Sequence, residues 1–270
     1  VQLGERLKKI EVQPNKKSKM EDKEMVNTLL RSIFSSEGVS KTGIASKPNE
    51  PAKKRVLLPG SFEHFLVVSY ILCQVEMGGQ VGCVDLNQNK STREELLSKD
   101  WKMDDNDDFW KFMYDFPDHN AYHSSWEMQE VMAATGLFLQ SDIDIAQAMV
   151  KWVMMSFDNM SIKGEKVRSG LFTGWRCTTW INTVLNHVYI ACAQESYKRI
   201  YGEFPITRYD GTGDDVDMSV LSAEVSYRLY SIMTSMGYEE NEIKQLVTKQ
   251  LHEYTRTIFR KGGIYTCINR

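Results

Sequence analysis

The stretch TRYDGTGDDVDMSV, residues 207–220, decides the reading of this chain. Apolar and β-prone residues flank a Gly-Asp-Asp triplet, a pattern that predicts strand, tight turn, strand. Gly213 would supply backbone angles that a side chain resists, letting Asp214 and Asp215 reach one place. Adjacent aspartates repel each other unless a cation neutralises them. Mg²⁺ is a hard ion that takes carboxylate oxygens, and two such ions can clamp both oxygens of an in-line phosphoryl displacement. A solvated β-turn, in which Asp and Gly are favoured residues, is the plainer alternative.

Three other stretches add to the triplet. YDFPDHN, residues 114–120, places Asp115 at the end of an apolar-rich strand spanning 109–116. A carboxylate from a separate strand is what a two-metal site needs, although Asp115 and Asp118 also suit an exposed strand terminus. His119 and His123 are spaced i, i+4, but no HExxH follows and no Cys is near, so zinc is not expected. SGLFTGWRCTTWINTVLN, residues 169–186, runs a glycine-containing loop into a helix. Thr178 and Asn182 stand four apart on one face of that helix. Such a face can hydrogen-bond a ribose 2′-hydroxyl, and an N-capped core helix is the alternative. KPNEPAKKR, residues 47–55, clusters Lys53, Lys54 and Arg55 after a Pro-rich loop, as a triphosphate would require and as many solvated loops also do.

Around these stretches the pattern predicts helices over residues 25–34, 62–76, 125–139, 142–155, 178–201 and 221–236, and one more before a hairpin at 259–268. Residues 35–51 read as a loop and 79–86 as a short strand. The order implies an α+β fold, an antiparallel sheet backed by helices. The 270 residues can bury a sizeable core, and 42% hydrophobic with 26% charged is ordinary for a globular chain. A net charge of -3 argues against a purely electrostatic nucleic-acid binder, but not against an enzyme with an acidic metal site. The five cysteines are scattered without a CxxC pair, which suits a reducing intracellular setting. No apolar run approaches the roughly 20 residues that span a bilayer. The first residue is Val1 rather than Met, so a segment of a longer polypeptide is expected.

In order, the four stretches resemble the motifs of viral RNA-dependent RNA polymerases, and most of all those of totiviruses and similar double-stranded RNA viruses. The family pattern Ser-Gly-x3-Thr-x3-Asn-Thr is matched by Thr173-Gly174, Thr178 and Asn182-Thr183, with Thr in place of Ser. Gly213-Asp214-Asp215 matches the catalytic GDD, and Asp115 matches the first aspartate of the metal-binding strand. Asn120 stands five residues on, where the wider family often has Asp. Glu50, Lys53 and Arg55 fit the family's Glu-x2-Lys-x-Arg, while Lys47 is one residue further upstream than usual. Glu253-Tyr254-Thr255-Arg256 resembles the segment before the primer-grip hairpin.

The resemblance implies a right-hand polymerase palm with part of the helical fingers and the thumb missing. Residues 1–80 would be a fingers portion with the basic nucleotide-entry loop. Residues 81–270 would be palm, with a fingers segment about 125–168 and the primer-grip hairpin about 257–270. Asp115, Asp214 and Asp215 would hold two Mg²⁺ or Mn²⁺ ions. Lys53 and Arg55 would hold a ribonucleoside triphosphate, with Asn120, Thr173, Gly174, Thr178 and Asn182 about the sugar. Lys244, with Lys249 as rival, would protonate the leaving pyrophosphate. RNA template and product strand would be the partners, in a virion interior or host cytoplasm, with a capsid protein fused or co-packaged and no membrane. A reverse transcriptase and a non-catalytic RNA-packaging module are the competing functions. The sugar-reading face and a GDD rather than a Tyr-x-Asp-Asp turn argue against the first. The intact Asp115, Asp214, Asp215, Asn182 and Arg55 argue against the second.

Overall fold

The computed structural model of the chain describes residues 23–46, 56–77, 80–81, 84–85, 109–139, 143–241, 245–254, 257–260 and 263–266. The elements run α1 (Lys23–Phe34), β1 (Ser40–Thr42), β2 (Ala45–Ser46), β3 (Val56–Leu57), α2 (Phe62–Met77), β4 (Gln80–Val81) and β5 (Val84–Asp85). Then come β6 (Trp110–Tyr114), the single turn α3 (His119–Tyr122), α4 (Ser125–Gly136), α5 (Ile143–Asp158), β7 (Met160–Ile162) and β8 (Glu165–Val167). The long helix α6 (Thr178–Tyr201) precedes β9 (Ile206–Thr212), β10 (Asp215–Val220) and α7 (Ala223–Ser235). Four strands close the chain: β11 (Leu246–Thr248), β12 (Leu251–Tyr254), β13 (Thr257–Arg260) and β14 (Gly263–Thr266).

The central sheet has the order β11-β6-β10-β9, antiparallel throughout. Opposite residues of an antiparallel pair share a face. The register Tyr114↔Val216, Phe112↔Met218 and Trp110↔Val220 therefore stacks the large apolar residues on one face, where they join the core. Lys111, Met113, Asp217 and Ser219 fall on the other face, and Lys111 Nζ donates to Ser219 Oγ at 2.7 Å. Strand β12 crosses that second face: Glu253 N–H meets Met113 Sδ at 2.9 Å, and the Tyr254 and Thr212 hydroxyls pair at 2.8 Å.

Helix α6 runs 24 residues with no Gly or Pro and stops at Gly202, which takes φ 86 and donates to Lys198 O. Its buried residues Asn182, Leu185, Asn186, Tyr189, Ala193 and Tyr197 recur at i, i+3, i+4 spacing, so one stripe is buried along the whole helix, while Trp180, Ile181 and Thr183 bury other sides of its first turns. Helix α4 starts in a capping box, Ser124 with Glu127. Two expectations are corrected here. The segment before the final hairpin is not helical but forms strands β11 and β12, because β6 offers Leu246–Thr248 an open edge to pair with. Residues 160–167, beyond the helix expected over 142–155, form the hairpin β7–β8, turning at Lys163 and Gly164, both with positive φ. Strand β1 adds parallel to β7, inside the stretch expected as a loop.

Candidate active site

Asp115 is the first residue past β6, one step beyond the Tyr114↔Val216 pair and so level with Asp215. Its backbone oxygen is held twice, by Asn241 N–H at 2.9 Å and by Gln245 Nε2 at 2.8 Å. Across the sheet, Gly213 makes the turn with φ 64. Its N–H donates to Thr183 Oγ1 at 2.8 Å, and its oxygen accepts from Asn186 Nδ2 at 3.1 Å. Helix α6 thus fixes the buried turn backbone and leaves Asp214 exposed.

Asp115 and Asp214 line one cleft of about 580 Å³. Asp118, Asn120, Thr173 and Asn241 share its walls, as do Val56 and Leu58 from the β3 segment. Three carboxylates therefore face the cleft, and its described lining includes no Lys or Arg. Asp215 opens β10, is exposed and does not line the cleft. Among the described residues no three His, Cys, Asp or Glu side chains gather closely enough to hold a metal alone. The expected triad Asp115, Asp214, Asp215 is therefore not a closed cage. Consecutive residues at a strand start point apart, and Mg²⁺ sites in nucleotide enzymes are commonly completed by water and phosphate oxygens. The donors present, hard oxygens from separate strands on one cleft, fit such an open site.

Asn120 lies at the cleft wall, and Asn182, only 5% exposed, sits behind it, the two side-chain amides hydrogen-bonded at 2.9 Å. Thr173 lines the cleft, but its hydroxyl donates to Val56 O at 3.0 Å, and its oxygen accepts from Leu58 N–H at 2.7 Å. Gly174 follows with φ 105, the Cβ position 3.6 Å from Pro59. Thr178 is turned away, its hydroxyl on Phe172 O at 3.0 Å and Trp175 O at 2.9 Å. Lys53, Arg55 and Lys244 lie outside the described residues, as does the basic loop 47–55. Lys249 stands 5.6 Å over the Trp110 ring, at the opposite end of β6 from Asp115.

The histidines beside Asn120 are structural in their surroundings. His119 packs between the rings of Phe116 at 4.4 Å and His123 at 4.6 Å. Burial, with His123 beside it, pushes its pKa down to about 3, against a weaker pull from the Asn182 backbone. His123 is lowered as well, by burial first, while the Asn182 hydrogen bond and Glu127 pull it partly back. Sequence reading missed Asn186, Asn241, Gln245 and the partners of His123. Asn186 alone had a visible signal, a polar residue four positions after Asn182 on the same helical stripe.

A sheet whose central strands deliver one aspartate from a strand end and another from a glycine turn defines a polymerase palm. The sequence pattern of the viral RNA-directed RNA-polymerase family matches residues 8–270, and the chain belongs to that family. The RNA-directed RNA polymerase of Penicillium chrysogenum virus is 31% identical over 268 residues, 97% of this chain and 23% of that protein. A protein of Saccharomyces cerevisiae virus L-BC is 39% identical over 140 residues, 49% of this chain and 9% of its own length. The crystal structure of the RNA-dependent RNA polymerase of a human picorbirnavirus superposes with a TM-score of 0.56 at 18% identity. That match covers 83% of this chain and 43% of the other, and shows a shared fold. The chain spans less than a quarter of the first curated relative it matches.

Proposed function

We propose that the cleft between Asp115 and the Gly213–Asp214 turn is the nucleotidyl-transfer site of an RNA-directed RNA polymerase of a totivirus-like double-stranded RNA virus. The carrying observation is that Asp115 and Asp214 come from two strands and line one cleft. Two Mg²⁺ or Mn²⁺ ions held there, with Asp215 in support, would neutralise the triphosphate and sharpen the attacking primer hydroxyl. The chain's own residues do the positioning. Asn241 and Gln245 hold Asp115 by its backbone, and Thr183 with Asn186 holds Asp214 through Gly213. Asn120, at the cleft wall and hydrogen-bonded to Asn182 behind it, would read the sugar.

Lys53 and Arg55 are read as triphosphate ligands because they fall in sequence between β2 and β3, and Val56 and Leu58, just beyond them, line the cleft. Lys244 is preferred to Lys249 as the proton donor to pyrophosphate. It falls in sequence between Asn241 and Gln245, both bonded to Asp115 O, whereas Lys249 is at Trp110, five residues or about 16 Å along the strand. Residues 1–80 as fingers and 81–270 as palm, the RNA template and product as partners, association with a capsid protein, and a virion or cytoplasmic site follow from the same reading. Among the described residues no helix is long and apolar enough to cross a membrane.

The test is single-nucleotide incorporation by the full-length protein on a primed RNA template with Mg²⁺. Wild type should extend the primer, and Asp115→Asn and Asp214→Asn should each lose at least about 10³-fold, since charge stabilisation is commonly the largest catalytic contribution. Wild type that binds RNA but never extends it would instead establish the packaging-module reading.

A further inference from the structure

Five side chains run in line from the cleft wall into the core. Asn120 is at the wall, and Asn182 Nδ2 lies 2.9 Å from Asn120 Oδ1. Asn182 Oδ1 lies 2.9 Å from His123 Nε2, and His123 Nδ1 lies 3.1 Å from the Tyr189 hydroxyl. Tyr189 donates to Glu127 Oε1 at 2.9 Å. Glu127 Oε2 in turn accepts from the N–H and the hydroxyl of Ser124, at 2.7 and 2.8 Å, so the inner end is a carboxylate pinned in place. His123 is fully buried, and Asn182 and Tyr189 nearly so.

Counting protons shows what this line can do. Tyr189 has one proton and gives it to Glu127, so towards His123 it can only accept. His123 must then carry a proton on Nδ1. With the Asn182 oxygen facing Nε2, the ring needs a second proton there and becomes a cation. Burial opposes that charge, and His119, the ring next to it, is held neutral too. The neutral ring has a bare Nε2, which is satisfied when Asn182 turns its amide nitrogen towards it. Amide oxygen and nitrogen have the same shape, so the network alone decides which faces where. The turn passes along the line: Asn182 now offers its oxygen, Asn120 donates to it, and Asn120 Oδ1 is left facing the cleft. Every hydrogen bond then points the same way, from the cleft to Glu127.

We propose that His123, Tyr189 and Glu127 are positioning residues for sugar recognition, fixing the direction of this line so that Asn120 offers an acceptor to a ribose hydroxyl. The proposal rests on the polymerase reading above. A hydroxyl bound at Asn120 extends the line by one more donor, whereas a deoxyribose leaves the acceptor without a partner. None of the three lines the cleft, so their loss should move the choice between sugars more than the rate of the chemistry.

The experiment compares kcat/KM for ATP and dATP in the full-length protein, for wild type, Tyr189→Phe and Glu127→Gln. Tyr189→Phe removes only the hydroxyl. Glu127→Gln removes the anion yet keeps a residue able to complete the capping box, so helix α4 should still start correctly. Each variant should lower the ribose preference by about 3–10-fold, with ATP turnover within about threefold of wild type. An unchanged ratio in both variants, or an equal loss for both sugars, overturns the proposal and leaves the line as core packing. Wild type that incorporates neither sugar overturns the polymerase reading, and the proposal with it. A melting curve for each variant separates lost selectivity from lost fold.

Discussion

Gly213 gives its backbone N–H to Thr183 Oγ1 at 2.8 Å, while the Thr183 hydroxyl gives its own proton to Thr179 O at 2.7 Å. The Thr183 hydroxyl is thus used in both directions, and the acidic turn is tied to the first turns of α6. A palm must hold its second aspartate still while the backbone around it is sharply bent. Here the helix behind the sheet does so through the main chain.

Thr183→Val keeps the shape and removes the acceptor, leaving a buried N–H without a partner. The expected cost is about 1–3 kcal/mol of stability. Single-nucleotide turnover should fall by at least about tenfold, since small misplacements of a catalytic group are costly. Thr183→Ser restores the bond and should stay within about threefold of wild type. Denaturant unfolding together with turnover reads both. A Thr183→Val protein equal to wild type in both would mean that Asn186 suffices to hold the turn.

Gly38 tests the packing of the segment before β1 against α5. A Cβ there would lie 1.8 Å from Trp152 O and 2.9 Å from Ser156 N, both backbone atoms of α5. Backbone cannot step aside as a side chain can, so Gly38→Ala should force β1 away from the helix at about 2–3 kcal/mol. Gly43, where nothing lies within 4 Å of the Cβ position, is the control, and Gly43→Ala should shift stability by no more than about 0.5 kcal/mol. Equal midpoints in urea for the two variants would contradict the close approach.

His119 makes stability depend on acid. Its folded pKa, about 3, lies below the ordinary 6.5, so between these values the unfolded chain takes up a proton that the folded chain refuses. The contribution is complete above pH 6.5 and is lost as the pH falls towards 3. Between pH 6 and pH 4 the unfolding free energy should drop by roughly 2–3 kcal/mol from this group. His119→Phe, beside Phe116, should flatten the slope in that window but not abolish it, because His123 is lowered too. Unfolding measured across the window would refute this if the variant and wild type ran parallel.

What the sequence disclosed depended on how local the cause was. Helix α6 was legible to the residue because an uninterrupted run ends at Gly202, and the β9–β10 turn because Gly213 is needed for its backbone. Residues 246–254 were misread because Leu246, Val247, Leu251 and Tyr254 also fit one face of a helix. Their strands arise from pairing with distant partners, β6 and β13, and Thr248 Oγ1 accepts from Gln250 N–H to turn the chain between them. The site divides in the same way. The family resemblance picked out Asn120, and helical spacing picked out Asn182, but neither could show that one stands in front of the other. Neither gave a hint of Asn241 and Gln245, which act through the backbone of Asp115.

That order of depth ranks the last set of variants. Asn120→Ala removes the amide at the cleft wall and should cut the preference for ATP over dATP by about 10–100-fold, or 1.4–2.7 kcal/mol. Asn182→Ala leaves Asn120 in place but unsupported, and strands the buried His123 Nε2. Its loss of preference should be smaller, about 3–10-fold, with a larger fall in melting temperature. Thr178→Val removes a hydroxyl bonded only to loop carbonyls among the contacts seen, Phe172 O and Trp175 O. It should cost about 1 kcal/mol of stability and leave the sugar ratio where it was. Steady-state incorporation of both triphosphates, with a melting curve for each protein, checks the ranking. If Asn182→Ala lost more discrimination than Asn120→Ala, the sugar would be touching Asn182 directly, and Asn120 would be its support. A selective loss in Thr178→Val would return that hydroxyl to the sugar-reading face that the i, i+4 spacing first suggested.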